Sequence, residues 1–177
     1  MKIIHAPNTV LATPSRPVKK IDAKIRTLVD EMVTTLLAQH DPEGVGLAAP
    51  QINLGIQLFI IKKDKKAPVK TFINPKIVSS TQVAQSETAK KPKKDETSRL
   101  EGCLSIPRIW GKVVRSKKVV LEYTDLENKT QTETFSGFEA TIIEHEMDHL
   151  NGILFTRRVL EQGHILYREE DGELVTF

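Results

Sequence analysis

Two histidines four residues apart, with a glutamate between them, are the part of this sequence best suited to chemistry. They stand in His145-Glu146-Met147-Asp148-His149, which has the pattern H-E-x-x-H. On a helix, residues four apart lie on one face, so both imidazoles can reach a single metal ion. Glu146 projects beside them, close enough to take a proton from metal-bound water. The pattern therefore predicts a metal centre that activates water.

A helix with two surface histidines is the simplest alternative explanation of the same residues, because short motifs also arise by chance. The apolar residues Ile142, Ile143 and Leu150 indicate that the helix is partly buried. Ile142 lies three residues before His145 and shares its face. Buried imidazoles need polar partners, and a metal ion supplies one. The burial pattern therefore favours the metal centre.

A catalytic metal needs a third protein ligand and an open position, and the sequence offers several donors. Cys103 is one, but a lone cysteine is more often a small buried apolar side chain. The others are histidines elsewhere in the chain and glutamates downstream of the motif. They are His5, His40, His164, Glu161, Glu169, Glu170 and Glu173. From the residues alone, the third ligand remains open.

Two helices are predicted from apolar residues at spacings of three and four. The first covers about 22–40, with Asp22 as N-cap, and follows an irregular, proline-punctuated segment over 1–20. The second covers about 138–150 and carries the two histidines. Ser136 and Glu139 form a capping-box pattern at its start, and Asn151-Gly152 ends it.

Strands and loops account for the remainder. Branched and aromatic residues predict strands over 57–62 and 71–74, a hairpin over 118–124 and 130–135, and a tail hairpin over 164–168 and 174–177. The segment 44–51 is small, glycine-bearing and ends just after a proline. Residues 79–99 are polar and lysine-rich, which predicts a flexible insertion.

Composition limits the class of protein. The 177 residues suit one domain, and 39% apolar with 28% charged residues is ordinary for a globular chain. The single cysteine excludes an internal disulfide framework. No apolar run approaches the roughly 18 residues of a spanning helix, and no secretory leader is visible. We expect a soluble cytoplasmic protein in which 1–177 forms one domain.

Three segments, in order along the chain, resemble the three motifs of the peptide deformylases. They are 44–51 (GVGLAAPQ), 101–105 (EGCLS) and 145–149 (HEMDH). The resemblance is weakest over 79–99 and after Leu160. It implies an α+β domain with antiparallel sheets packed around a central metal-site helix, plus an N-terminal helix. It also implies hydrolysis of the N-formyl group, as formate, from nascent chains that begin with formylmethionine.

The resemblance also implies roles for individual residues. The implied metal ligands are Cys103, His145 and His149, and Glu146 is the implied general base and acid. The implied oxyanion donors are the side chain of Gln51 and the backbone N–H of Leu104. The implied metal is Fe²⁺, although a thiolate with two imidazoles also accepts Zn²⁺, Ni²⁺ or Co²⁺.

The resemblance also implies where the substrate is contacted. Gly46 is the implied backbone contact to substrate, and Val45, Phe138 and Ile142 are candidates for an apolar methionine pocket. Arg108 and Arg115 are further candidates for substrate contact.

Glu144 stands where the family often has glutamine, which adds a carboxylate near the metal. The tail hairpin replaces the C-terminal helix of many bacterial members.

Other functions remain open. A zinc endopeptidase of the H-E-x-x-H type would need a different third ligand and an extended cleft. A structural metal site, or an RNA-docking protein that uses the lysine runs of 62–66 and 79–99, is a non-enzymatic alternative. The expected partners are N-formylmethionyl nascent peptides, with ribosome contact through the basic surface, no membrane, and a monomeric state.

Overall fold

The structure is a computed structural model that describes residues 1–40, 43–64, 66–81 and 100–176. Within these ranges the helices are α1 (Ala23–Leu37), α2 (Phe138–Leu150) and α3 (Phe155–Glu161). The strands are β1 (Gly46–Ala48), β2 (Leu58–Ile61), β3 (Lys70–Thr81), β4 (Leu100–Cys103), β5 (Ile106–Lys112), β6 (Lys118–Thr124), β7 (Thr130–Ser136), β8 (Leu166–Glu170) and β9 (Glu173–Thr176). Short 3-10 helices cover Thr9–Ala12 and Ala49–Ile52.

Two antiparallel sheets form the body of the protein. The larger sheet has the order β1-β2-β3-β6-β7, and the smaller one has the order β4-β5-β8-β9. In this arrangement β1 and β4 are edge strands of their respective sheets. The predicted α+β fold, with antiparallel sheets around the helix that carries the histidines, is confirmed.

The larger sheet is covered on both faces. Phe59 and Ile61 of β2 pack with α2 through Ile143, whereas Leu58 and Ile60 pack with α1. Because successive side chains of a strand point to opposite faces, a strand covered on both sides is apolar throughout. This explains the continuous apolar run of β2, in which all four residues are buried.

The two predicted helices are present. Asp22 caps α1 as expected, with its carboxylate accepting the N–H groups of Lys24 and Ile25 at 3.0 and 3.2 Å. The capping box predicted for α2 is wrong, because Ser136 is the last residue of β7, opposite Lys118. Gly137 takes the N-cap position at a φ of 59°, which glycine adopts without a steric penalty.

The predicted hairpins are also present. Strands β6 and β7 pair in continuous register from Lys118↔Ser136 to Thr124↔Thr130. Strands β8 and β9 pair around Asp171-Gly172, whose φ angles are 50° and 83°. In the predicted insertion, residues 79–81 belong instead to β3 and pair with β6, and 82–99 lie outside the described residues.

Among the α-helices and strands, β1, β4, β5 and α3 were not predicted. The last three surround the cysteine, since Phe155 and Val159 of α3 pack with Cys103 and Val113 in one buried cluster. Across the part of the chain that the structure describes, no helix is both long and apolar enough to cross a membrane.

Candidate metal centre

Three side chains converge between α2 and the end of β4. The sulfur of Cys103 and ring nitrogens of His145 and His149 all lie within 4.8 Å of one another. The Cys103 Sγ is 3.2 Å from Nε2 of His149, and the two imidazole centroids are 5.0 Å apart. Among the described residues, Cys103 is the third donor that the fold groups with both histidines.

Local structure explains how these donors meet. The β4–β5 ladder shifts register between Gly102 and Cys103, and the next paired residues are Cys103 and Ile106. The chain thus turns at Leu104-Ser105 and presents the thiol to α2. On α2 the histidines lie one turn apart, and the helix is held by its buried face against β6 and β7.

Buried charged side chains connect the two histidines of α2 to the surrounding elements. Nδ1 of His145 lies 3.0 Å from Glu101 Oε2, and Arg115 donates to both oxygens of Glu101 at 2.9 and 3.0 Å. Arg115 also donates to Asp148 at 2.7 Å, and Asp148 in turn accepts from Arg158 of α3 at 2.7 Å. With Nδ1 directed at Glu101, Nε2 of His145 is left to bind a metal.

The burial of this network shifts its acid–base properties. Burial alone would raise the pKa of Glu101, but hydrogen bonds from His145 and Arg115 outweigh it and hold the pKa at about 2. Burial lowers the pKa of His149, which keeps this imidazole neutral. Burial would also lower the pKa of His145, but Cys103 and Glu101 raise it above its usual range. A cation at the site would compete with that proton.

Glu146 lies beside the donors and is 3% exposed. Burial raises the pKa of this carboxyl to about 7. Its Oε2 has no hydrogen-bond partner among the described residues, and a Cβ placed on Gly46 would collide with its Oε1. A buried carboxyl with a free oxygen and a pKa near neutrality is suited to accept and return a proton.

Gln51 is held with its amide nitrogen toward the cysteine. Its Oε1 accepts the N–H of Ala48 at 2.8 Å, while Nε2 lies 3.6 Å from Cys103 Sγ and 3.3 Å from Ser105 Oγ. The side chain is 1% exposed. Because the oxygen is engaged, the N–H₂ group is the end of the amide that faces the site.

A cavity of about 730 Å³ opens onto these groups. It passes between the edge strands β1 and β4 of the two sheets. Cys103, His145, Glu146, Gln51 and Leu104 line it. The predicted substrate contacts also line it, namely Val45, Gly46, Phe138 and Ile142. Ile142 is buried and Phe138 is 42% exposed, so the apolar wall extends from the interior to the mouth.

Other candidate ligands have different partners. His164 Nδ1 lies 2.9 Å from the carbonyl of Lys112, Glu161 pairs with Arg157, and Glu169 accepts the indole N–H of Trp110. Glu170 pairs with Arg168. These interactions lie apart from the Cys103, His145 and His149 cluster.

Glu144 and Arg115 are hydrogen-bonded within the protein, and Arg108 lies outside the cavity. Both Glu144 oxygens accept hydrogen bonds from Ser116, at 2.7 Å each. Arg115 lines the cavity, but its guanidinium is taken up by Glu101 and Asp148. Arg108 is exposed on β5 and does not line the cavity.

The acidic partner of His145 was missed in the sequence, although a signal exists. Glu101 and Cys103 are two residues apart on a strand, so their side chains point to the same face. Metal-bound imidazoles commonly donate to a carboxylate, so Glu101, beside the candidate ligand Cys103, was a candidate partner for His145.

Comparisons with known proteins agree on one family. A family model described as polypeptide deformylase matches residues 1–164. Peptide deformylases from Rhodopirellula baltica and Rhizobium meliloti are 35% and 39% identical to this chain, covering 100% and 86% of it and 80% and 81% of themselves.

Solved structures give the same result. A peptide deformylase from Synechococcus elongatus, in complex with actinonin, superposes with a TM-score of 0.76 at 34% identity, covering 90% of this chain and 80% of that one. A peptide deformylase from Legionella pneumophila gives a TM-score of 0.74 at 36% identity, covering 89% and 84%.

Proposed function

Because this chain belongs to the polypeptide deformylase family, we propose that Cys103, His145 and His149 hold its catalytic cation and that Glu146 moves the proton. The reaction of the chain is hydrolytic removal of the N-formyl group, as formate, from formylmethionine at the start of nascent polypeptides. The observation that carries the assignment of roles is the grouping of three buried donors with a buried carboxyl in one cavity.

The donor set fits a divalent metal ion. A thiolate and two imidazoles within 4.8 Å of one another suit three ligands of a tetrahedral site with one position left open. Such a borderline-soft set accepts Fe²⁺, Zn²⁺, Co²⁺ or Ni²⁺, and we assign Fe²⁺ as the working metal. A cation bound there would acidify water and polarise the formyl carbonyl.

Glu146 carries the proton through the reaction. As water attacks the formyl carbon, the Glu146 carboxylate takes one of its protons. When the C–N bond breaks, the carboxyl returns that proton to the amine nitrogen of methionine and formate leaves. Burial raises the pKa of Glu146 to about 7, which suits a group that must both accept and donate near neutral pH.

Two N–H donors meet the charge that develops on the formyl oxygen. Gln51 is held by its own oxygen on Ala48, so Nε2 needs no reorganisation when that charge appears. The backbone N–H of Leu104, next to Cys103 at the β4–β5 turn, is the second donor. One such donor typically lowers the barrier by about 3 to 4 kcal/mol.

The edge strands explain how a peptide would enter. Strands β1 and β4 each have one unpaired side, and an extended peptide can hydrogen-bond to such edges. Gly46 lacks a side chain and lets a substrate backbone approach Glu146. The methionine side chain then lies among Val45, Phe138 and Ile142.

The setting of the reaction is also part of the proposal. We place the protein in the cytoplasm as a monomer, where it meets nascent chains as they leave the ribosome. Exposed lysines such as Lys63 and Lys66 suit contact with ribosomal RNA. Cosedimentation with ribosomes that weakens as salt increases would support the contact, and salt-independent or absent cosedimentation would contradict it.

The decisive experiment is formate release from a short formylmethionyl peptide, using protein purified without oxygen and of measured metal content. In Glu146→Gln we expect metal content to be retained and kcat to fall by about 10² to 10⁴. Glu139→Gln, at an ion pair on the same helix, is the matched control and should keep its activity. Full activity in Glu146→Gln would refute the role, and cleavage of unformylated peptides without formate release would favour the endopeptidase.

A further inference from the structure

Trp110 forms part of the cavity wall without a role in the reaction described above. It lies on β5, directly opposite Gly102 of the edge strand β4 and Tyr167 of β8. Leu100 and Val113 line the same cavity. The indole therefore stands on the sheet face that borders the substrate path.

Gly102 determines how closely the indole covers the edge strand. A Cβ at Gly102 would lie 2.7 Å from Cζ3 of Trp110 and 2.9 Å from Cε3. Real Cβ atoms do not approach ring carbons so closely, so a larger residue would displace the ring. With glycine there, the benzene half of the indole lies against the backbone of β4 at Gly102.

The polar end of the indole is held by a hydrogen bond to the neighbouring strand β8. Nε1 of Trp110 donates to Glu169 Oε2 of β8 at 2.8 Å. Glu169 is two residues from Tyr167 and so lies on the same face of β8. The indole N–H is thus engaged by the tail hairpin, and what the ring can offer a ligand is its apolar face.

A peptide that extends β4 as an added strand would place alternate side chains over this face. Aromatic side chains pack on indole with a gain beyond simple burial. Arg115 lines the same cavity but is paired with Glu101 and Asp148, so the apolar face of the indole is the feature that distinguishes this part of the wall. This face favours an aromatic residue.

We propose that Trp110, held by Glu169, is a specificity-determining residue that selects an aromatic side chain at one of the two positions after the formylmethionine. This inference rests on the proposed function. Its expected size is a preference of about fivefold to tenfold in kcat/KM, which is what one aromatic contact supplies.

The test compares formyl-Met-Phe-Ala, formyl-Met-Ala-Phe and formyl-Met-Ala-Ala as substrates. Wild type should favour one of the phenylalanine peptides, Trp110→Phe should keep part of that preference, and Trp110→Leu should bring the ratio close to one. Glu169→Ala should reduce the ratio by freeing the ring. Glu170→Ala, the next residue on β8 and exposed, is the matched control and should leave the ratio unchanged.

Trp110 is the single tryptophan of the chain, so its fluorescence reports on this position alone. The product Met-Phe-Ala, or Met-Ala-Phe, should change the emission more strongly than Met-Ala-Ala. Equal rates on all three substrates in wild type, or an unchanged ratio in Trp110→Leu, would overturn the inference. If no formate is released from any substrate, the proposed function fails, and the emission titration still decides whether Trp110 binds the aromatic side chain.

Discussion

Gly46 and the Glu146 carboxyl lie against each other in the cavity wall, and their contact leaves no space for a side chain at Gly46. A Cβ at Gly46 would collide with the Glu146 carboxyl and lie 3.0 Å from Cγ2 of Ile142. We expect Gly46→Ala to displace the carboxyl and to lower kcat/KM for formyl-Met-Ala-Ala by about a hundredfold, in the range of general-base effects. Metal content should be retained.

Gly55→Ala is the control for this prediction, because nothing lies within 4 Å of a Cβ placed there. Wild-type kinetics in Gly46→Ala would mean that the Glu146 carboxyl tolerates displacement. Equal losses in both variants would point to a general effect on the chain and not to this contact.

Glu101 holds the imidazole of His145, a proposed metal ligand, and neutralises Arg115. In Glu101→Gln the side-chain amide can still hydrogen-bond to His145. Arg115 then loses its carboxylate partner at position 101 and keeps Asp148. We expect the affinity for Zn²⁺ or Co²⁺ to fall by about 10- to 100-fold, as for other partners of metal-bound histidines. Competition with a chelator of known affinity measures this.

Glu122→Gln, at an exposed position of β6, is the control for the metal titration. The outcome that contradicts the prediction is equal affinity in Glu101→Gln and wild type.

At the scale of residues, the sequence predicts the ligand and proton-transfer candidates but not their support. The spacing of His145 and His149 places both on one helix face, which is a local property. The link from His145 to Glu101 spans 44 positions, and that from Arg115 to Asp148 spans 33. Such distant pairs depend on how α2 packs against β4, which no local pattern contains.

Among the elements, the larger sheet carries a titratable cluster on β3, β6 and β7. Tyr123 donates to Glu133 at 2.5 Å, and Lys70 donates to the other oxygen at 3.0 Å. Chiefly through the Tyr123 bond, and against the effect of burial, the pKa of Glu133 is lowered from its usual 4.5. A carboxyl with a lowered pKa stabilises the fold above its unfolded pKa, and that contribution is lost as pH falls through the lowered value.

We therefore expect Glu133→Gln to reduce the free energy of unfolding at pH 7 by about 1 kcal/mol. The effect is small because Glu133 and Lys70 are both partly exposed and solvent weakens their attraction. The difference from wild type should shrink as pH falls below about 4. Urea unfolding at pH 7, 5 and 3.5 measures it. A difference that stays constant with pH would rule out the carboxylate as its source.

The elements that the sequence predicts are those with a strong local pattern. The periodicity of α1 and α2 and the alternation of β6 are readable without tertiary information. Strands β4 and β5 contain Gly102, Pro107 and Gly111 and are defined by pairing with each other and with β8. Helix α3 has only seven residues, too few for a periodic signal, and is held by Phe155 and Val159 in the cluster around Cys103.

For the whole molecule, the N-terminal segment connects parts of the site that lie far apart in the chain. Ile4 donates its N–H to the carbonyl of Gln51 at 2.8 Å, and Ala6 donates to Ser105 at 3.0 Å. Ser15 donates to Leu150, at the end of α2, also at 2.8 Å. A segment with a single short 3-10 helix thus joins the regions of all three motifs, although its sequence predicts no helix or strand.

Ile4→Pro removes the N–H that reaches Gln51, whereas Ile4→Ala keeps it and is the control. We expect the proline variant to melt several degrees below the alanine variant, since about 1 kcal/mol corresponds to 2 to 4 °C at this size. It should also lose kcat, because Gln51 is less well held. Identical melting temperatures and kcat in the two variants would show that this bond does not support the site.

The bond between Trp110 and Glu169 joins the cavity to a hairpin that lies beyond the family match. That match ends at residue 164, while β8 and β9 begin after it. Substitutions in this hairpin can change how the indole is held without altering the cysteine, the histidines or Glu146. The fold therefore separates the chemistry of the reaction from the choice of peptide. Substitutions in the hairpin can therefore alter the peptide preference while the hydrolytic residues stay the same.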